Sequence, residues 1–255
     1  MKYITAFFMA WGNFITLPCP YKKWDSKLLN MMLMFLPAIG AVIGALWLIV
    51  IELMVWFGIP DQITAFVAVF FLFAICGFMH LDGFMDCNDA ILSRRPLEER
   101  QRILKDSNVG AFAVVSVVFL LLGWYAAMTV QIQSTHLLVY FLIPIVSRLN
   151  AGWDVLTKDP IGHSQYAADH SEKGKWKYEI VMVAETMIFV IIWVAIFGIE
   201  SWRTGDITVI AIECAACIAA GGFARKQLGG MSGDIAGYTI CFGELAAIIT
   251  AAIVL

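Results

Sequence analysis

The chain has 255 residues, of which 61% are hydrophobic and 15% charged, with a mean hydropathy of +0.81 and a formal net charge of -3. A soluble domain of this length would be about 45–50% apolar, so the composition excludes an ordinary soluble protein and points to a polytopic membrane protein. The net charge says little about partners, and no nucleic-acid partner is expected; the placement of the charges says much more.

In chain order, residues 3–19 are apolar but short and end in prolines, which predicts a half-inserted or interfacial helix. The stretch has no small-residue cleavage site before Pro18 and Pro20, so it is not read as a cleavable signal. Crossing a bilayer takes about 17–25 apolar residues. Seven runs are predicted to do so, at about 31–56, 62–79, 110–130, 136–150, 179–199, 207–224 and 235–255. The fourth is the weakest, because Pro144 and Arg148 interrupt it. Nothing resembling a linker, repeat or low-complexity block divides the chain. The expectation is all-α: one integral membrane catalytic domain over 1–255, a bundle of about seven transmembrane helices plus a short N-terminal interfacial helix.

Lys and Arg concentrate in alternate loops. Lys22, Lys23 and Lys27 form one group, and Arg94, Arg95, Arg100, Arg102 and Lys105 a second. Arg148, Lys158, Lys173, Lys175 and Lys177 form a third, and Arg225 and Lys226 a fourth. The intervening loops near Pro60, Gln133 and Trp202 hold only Arg203. The positive-inside rule then predicts basic loops in the cytosol, a C-terminus outside and an inner-membrane location. Cys214 and Cys217 form a C-x-x-C inside an apolar run, and helix packing explains them better than redox or zinc chemistry.

At the cytosolic end of the second predicted span the chain reads HLDGFMDCNDAILSRR, residues 80–95. Asp82, Asp86 and Asp89 are spaced i, i+4, i+7, which puts all three on one face if the segment is helical. Crowded carboxylates repel one another unless a cation sits among them. Mg²⁺ suits them, since it takes carboxylate oxygens and keeps positions open for substrate phosphates. A solvated helix end with scattered acids is the plainer alternative. His80, two residues earlier, is a base, a ligand, an orienter of Asp82 or a structural residue. The basic segment after it brings Arg94, Lys105, Asp106 and Ser107, suited to a diphosphate, although topology alone explains most of its charges.

A second polar patch, RKQLGGMSGDIAGYTICFGELAAI, holds Gly229, Gly230 and Gly233, where backbone can approach a phosphate or simply turn. Asp234 follows them. Gly237 is placed to permit close helix packing. Glu244, ten residues after Asp234 and close to three turns on, should line the polar floor of the same cavity. Asp234 is expected to join Asp82, Asp86 and Asp89 as a metal ligand in one site.

These motifs together resemble the cobalamin synthase family, adenosylcobinamide-GDP ribazoletransferase. HLDGFMDCNDAILS at 80–93, ILKDSNVGAFA at 103–113 and LGGMSGDIAGYTICFGEL at 228–245 carry the resemblance, with FITLPCP near the N-terminus and LPAIGAVIG at 36–44. Ala90, Asn108 and Ala113 depart from the family pattern. The resemblance implies a Mg²⁺-dependent membrane enzyme that joins adenosylcobinamide-GDP to α-ribazole, or to α-ribazole 5′-phosphate, and releases GMP. A ribazole hydroxyl would attack the phosphoryl group attached to cobinamide. One carboxylate, assigned to Asp89, would accept the proton, with His80 as the second catalytic candidate; Arg94, Lys105, Asp106, Ser107, Gly230, Gly233 and Glu244 would contact substrate. The partners expected are these substrates and the lipid bilayer, with a homo-oligomer left open.

Two other classes compete. A CDP-alcohol phosphotransferase also puts aspartates on cytosolic helix ends, but the chain lacks that pattern's A-R and its preceding aspartate. A cation-coupled transporter would use Glu52, Glu185 and Glu244 as an ion path, and leaves the clustering of acids at one membrane face unexplained.

Overall fold

The computed structural model describes residues 1–132, 138–162 and 174–255. Gln133, Lys173 and the start of the fourth predicted span lie outside the described residues. Within those described, the chain folds into α1 (Lys2–Phe14), α2 (Leu29–Leu33), α3 (Leu36–Trp56), α4 (Asp61–Ala74), α5 (Met79–Leu92), α6 (Leu97–Ile103), α7 (Ala111–Gln131), α8 (Leu138–Thr157), α9 (Trp176–Phe197), α10 (Thr204–Leu228) and α11 (Gly233–Val254). There are no strands among the described residues, only an isolated bridge between Pro160 and Met231.

Five helices, α3, α7, α9, α10 and α11, are long and apolar enough to cross a membrane, and α4 with α5 makes a sixth crossing only if the bent pair is one span. The expected count of seven is not reached. The difference lies in α4, which at 14 residues makes a crossing only together with α5, and in α8, which has the length but carries Pro144, Arg148 and Asp154. Its side chains from Leu138 to Leu156 are largely buried by neighbouring helices. A helix screened from lipid by protein can hold polar groups that hydropathy penalises. At the other extreme, α9 presents Ile180, Met187, Ile191 and Ile196 outward. Such a face is a liability in water and ordinary in lipid. The N-terminal helix α1 has 13 residues, about 20 Å at 1.5 Å per residue, too short to span.

Two close crossings organise the bundle. In the first, Gly40 and Gly44 of α3 lie one turn apart, and a Cβ on either would collide with the carbonyls of Pro144 and Phe141 on α8. Small residues let these backbones touch, as in membrane helix pairs generally. A buried Trp47 beside this contact donates from Nε1 to the Ala68 carbonyl of α4 at 2.9 Å and packs edge-on to Trp124 and Tyr140.

The second predicted span does not run through to the acids. The helix breaks after Ala74, and α5 leaves at 84° to α4. Gly77 and Phe78 both have positive φ, 61° and 59°, a backbone state that costs little for Gly and is unusual for Phe. The break strands carbonyls that an α-helix would have used. Thr16 takes them: its amide donates to the Ile75 carbonyl at 2.8 Å, and its hydroxyl to the same oxygen at 3.2 Å. Being only 14 residues long, α5 is too short to cross the bilayer by itself. It packs on α7, α10 and α11.

Candidate active site

The four acids expected to hold a metal sit on or against α5. Asp82, Asp86 and Asp89 are on that helix, and Asp234 is in the first turn of α11. Gly83 brings these two helices together: a Cβ there would stand 2.8 Å from both the Cα and the carbonyl oxygen of Asp234. One turn along, Gly237 of α11 meets the His80 backbone, with a Cβ position 2.9 Å from the carbonyl oxygen. Cys241 follows on the same face, its Sγ 3.3 Å from that oxygen. The contact is therefore glycine against backbone on both sides, and it carries Asp234 to the acidic face.

The neighbouring helix start completes the cluster. Asp89 packs its carboxylate against Gly110, the residue that caps the N-terminus of α7. Asp82 and Asp234 each lie in the first turn of their own helix. Helix N-termini carry a partial positive charge, so these acids sit where backbone dipoles favour them. At the α11 N-cap, Ser232 accepts from the Ile235 amide and donates to Asp234, both at 3.3 Å. Dipoles do not remove the mutual repulsion. Burial, then the charges of Asp82, Asp234 and Asp89, push Asp86 up to about 7.

Behind the acids is a cavity of about 240 Å³, whose walls include His80, Asp82, Arg148, Gly233 and Asp234. Arg148 comes from α8 and is 1% exposed. Its Nη1 pairs with Glu244 at 2.8 Å and donates to the Pro144 carbonyl at 3.1 Å, and its Nη2 lies 3.2 Å from Cys76 Sγ. Ser147 donates to the same Glu244 oxygen at 2.8 Å. A sequence profile described as cobalamin-5-phosphate synthase matches residues 6–252. Among curated proteins, adenosylcobinamide-GDP ribazoletransferase of Clostridium perfringens (strain ATCC 13124) is 34% identical over 252 residues, 96% of each chain.

The chain belongs to the cobalamin-5-phosphate synthase family.

Relatives of the same name include those of Clostridium botulinum (strain Alaska E43), 30% identical over 244 residues and 95% of each chain, and of Geobacillus kaustophilus (strain HTA426), 30% over 242 residues, 92% of this chain and 90% of its own. No solved structure matches the chain.

In this cobalamin-5-phosphate synthase fold the predicted residues separate into groups. Asp82, Asp234, Gly233 and His80 share the cavity. Nothing lies within 4 Å of a Cβ built on Gly233, so that side is open. Asp86 and Asp89 continue along α5 outside the cavity wall. Glu244 is not in the wall either; it reaches the cavity through Arg148. Gly230 makes its close approach to protein, since a Cβ there would be 2.8 Å from the Ile161 amide nitrogen. The flanking residues pair in register, Ile161 N to Met231 O at 2.9 Å and Met231 N to Asp159 O at 2.8 Å. Arg94, Lys105, Asp106 and Ser107 are exposed. Asp106 closes its own turn by accepting from the Asn108 amide at 3.0 Å. Arg100 docks α6 onto Gln227 of α10 rather than facing the cavity.

Arg148 is the residue that sequence reading missed. It reads there as one more cytosolic charge and as a flaw in the fourth span. The available signal was an arginine deep in an apolar run together with a glutamate deep in another, since buried opposite charges in membranes usually pair.

The donor set suits a hard divalent cation: it is all carboxylate, and the negative charges around Asp86 help to raise that group. Among the described residues, no three His, Cys, Asp or Glu side chains are arranged to hold one ion by themselves. A Mg²⁺ there would be held by the carboxylates only together with waters and substrate phosphates.

Proposed function

We propose that this chain is an adenosylcobinamide-GDP ribazoletransferase: it joins adenosylcobinamide-GDP to α-ribazole, or α-ribazole 5′-phosphate, and releases GMP. The observation that carries the reading is the α5–α11 crossing, which sets Asp82 and Asp234 on one cavity with Asp86 and Asp89 beside them. Relatives over nearly the full length bear that name.

Asp82, Asp86, Asp89 and Asp234 would hold Mg²⁺, which when bound supplies charge neutralisation for a diphosphate and its leaving group. The protein's own part is positioning. The crossing fixes two acids at the cavity mouth, and the exposed Arg94 and Lys105 would meet the outer phosphate and GMP portion. The ribazole hydroxyl forms the new P–O bond to the phosphorus that carries cobinamide. The P–O bond to GMP breaks and GMP leaves with the electron pair. The hydroxyl proton passes to a carboxylate that lines the cavity, Asp82 or Asp234, in place of the expected Asp89, which is not in the cavity wall. Asp89, packed on Gly110, holds the outer end of the acidic face. Burial, then the Arg148 charge, lower His80 to about 3, so it acts as a neutral hydrogen-bonding ring. The acidic face is placed at the cytosolic side of the inner membrane, as the distribution of Lys and Arg supports.

The test is product analysis. Membranes containing the chain should release GMP from adenosylcobinamide-GDP only when α-ribazole is added, and those containing Asp82→Ala should not. GMP release that ignores α-ribazole would refute the reading.

A further inference from the structure

Beside the acidic cavity lies a second one of about 310 Å³, formed by α1 and the segment that follows it. Asn13 and Trp24 line both, so the two share an edge. Their electrostatics are opposite. The first is walled by Asp82 and Asp234, and its Arg148 is matched by Glu244. The second has Lys22 and Lys23 in its wall and, among the described residues, no acid. Both lysines are exposed, and among the described residues neither pairs with a carboxylate. Positive-inside placement accounts for lysines on this loop; it does not seat them in a cavity wall next to the acids.

Local contacts hold the segment on α1. Cys19 Sγ lies 3.5 Å from the Phe8 carbonyl oxygen and 3.3 Å from that of Tyr21. The rings of Phe8 and Tyr21 meet at 5.7 Å, and Trp11 Nε1 donates to the Leu17 carbonyl at 3.3 Å. Gly12 keeps the α1 side low, since a Cβ there would have only Cys19 within 4 Å, at 3.7 Å. Trp24, at the shared edge, is 59% exposed and offers a flat ring a surface to stack on. Cations beside aromatic rings suit an anionic group joined to a heterocycle. The volume lies at the lower end of small-ligand pockets, which run from about 300 to 1,000 Å³.

The chemistry of the reaction selects the anion. One phosphorus of the donor diphosphate is attacked and the other leaves with GMP, so both belong at the acidic face, where the metal would be held. The 5′-phosphate of the acceptor sits on a different ribose carbon from the attacking hydroxyl and takes no part in the bond changes. It needs countercharge away from the carboxylates, yet no further from them than the breadth of a nucleoside. A phosphate monoester carries about -1.5 to -2 at pH 7, close to the charge of two ammonium groups.

We propose that Lys22 and Lys23 form the phosphate subsite of the acceptor: they hold the 5′-phosphate of α-ribazole 5′-phosphate while its ribose passes Asn13 and Trp24 to reach the acids, and they make the phosphorylated nucleoside the preferred acceptor. This rests on the transferase reading above.

The experiment compares acceptors with purified protein in a neutral detergent free of anionic lipid, with Mg²⁺ present. Lys22→Ala/Lys23→Ala removes both charges and Lys22→Arg/Lys23→Arg keeps them. Lys27→Ala, exposed on the same segment and outside the cavity wall, is the control. In the alanine pair the KM for α-ribazole 5′-phosphate should rise about tenfold or more, while the KM values for unphosphorylated α-ribazole and for adenosylcobinamide-GDP stay within about twofold. The arginine pair should recover most of the loss, and Lys27→Ala should match wild type. Equal rises for both acceptors, a rise confined to adenosylcobinamide-GDP, or the same loss in Lys27→Ala would overturn the assignment. No change in the alanine pair would overturn it too and leave these lysines to the membrane surface. A second arm needs no turnover: equilibrium binding of radiolabelled α-ribazole 5′-phosphate should weaken in the alanine pair, and unchanged binding refutes the subsite. Wild type that binds this nucleotide through the two lysines yet releases no GMP would keep the subsite and refute the transferase reading. Wild type that releases GMP equally well with either acceptor would keep the transferase reading and refute the subsite.

Discussion

Gly83 lies directly on Asp234: where a Cβ would stand on α5, the Cα and carbonyl oxygen of Asp234 are 2.8 Å away. No side chain fits there, and the separation of the two helices sets how far apart the carboxylates of Asp82 and Asp234 are held. Gly83→Ala and Gly237→Ala should each pry α5 from α11 at a cost of about 1–3 kcal/mol and reduce turnover by about tenfold or more with insertion intact. Gly222→Ala, in α10 with only Arg225 Nη2 at 3.8 Å, is the control and should be neutral to slightly stabilising. Wild-type turnover in both Gly83→Ala and Gly237→Ala would show that the crossing does not set the site.

Asp234→Asn keeps the shape and removes one charge. It should lower turnover by about a hundredfold and raise the Mg²⁺ concentration for half-maximal rate, as loss of a ligand or its close partner commonly does. An unshifted Mg²⁺ requirement at a normal rate would separate the α11 patch from the α5 acids.

The pH dependence follows from Asp86. Its carboxyl is pushed up to about 7 by burial and by its three acidic neighbours. Below that value it is protonated, and a cation must displace the proton to bind. Apparent Mg²⁺ affinity should therefore strengthen as pH rises from 6 towards 7, by up to about tenfold per unit, and level off above. Asp86→Asn should flatten this curve. A titration of half-maximal Mg²⁺ against pH checks it, and a wild-type curve as flat as that of Asp86→Asn would refute the role.

Glu244 and Arg148 are both about 2% exposed in their side chains. Removing one partner leaves an uncompensated buried charge, so Glu244→Leu should cost about 3–5 kcal/mol. Glu244→Gln, which keeps an oxygen for Nη1 and for Ser147, should cost less. Thermal unfolding in detergent should rank wild type above Glu244→Gln and that above Glu244→Leu; the reverse order for the two variants would mean that the pair is not charge-coupled.

For orientation, Ser93→Cys at the end of α5 and Gln62→Cys at the start of α4, in a background without other cysteines, should differ towards an impermeant thiol reagent added to intact cells. Gln62→Cys should react and Ser93→Cys should be protected. Equal reaction at both would overturn the cytosolic placement of the acids.

The acids were legible because helical spacing is local: i, i+4, i+7 puts Asp82, Asp86 and Asp89 on one face wherever the helix lies. Gly237 was legible for the same reason, a small residue one turn from a functional acid. What the sequence hid was non-local. The apolar run 62–79 looks continuous, and only backbone geometry shows that Gly77 and Phe78 turn it through a left-handed step. Arg148 and Glu244 are 96 positions apart, so each looks like a defect in its own span until the fold pairs them. Gly230 illustrates the converse: a glycine next to a functional acid looked like a phosphate cradle, and its neighbour is the backbone of Ile161.

The tie from Thr16 to the end of α4 bridges 59 positions. Carbonyls left open by a broken helix find no water in a bilayer. During synthesis, then, α4 can enter the membrane as it emerges, but its broken end is satisfied only once the N-terminal segment, made first, has folded back onto it. The corner from which α5 departs is thus sealed by a segment made well before it, and a lesion at residue 16 should surface as a failure to mature, with the acidic residues themselves untouched.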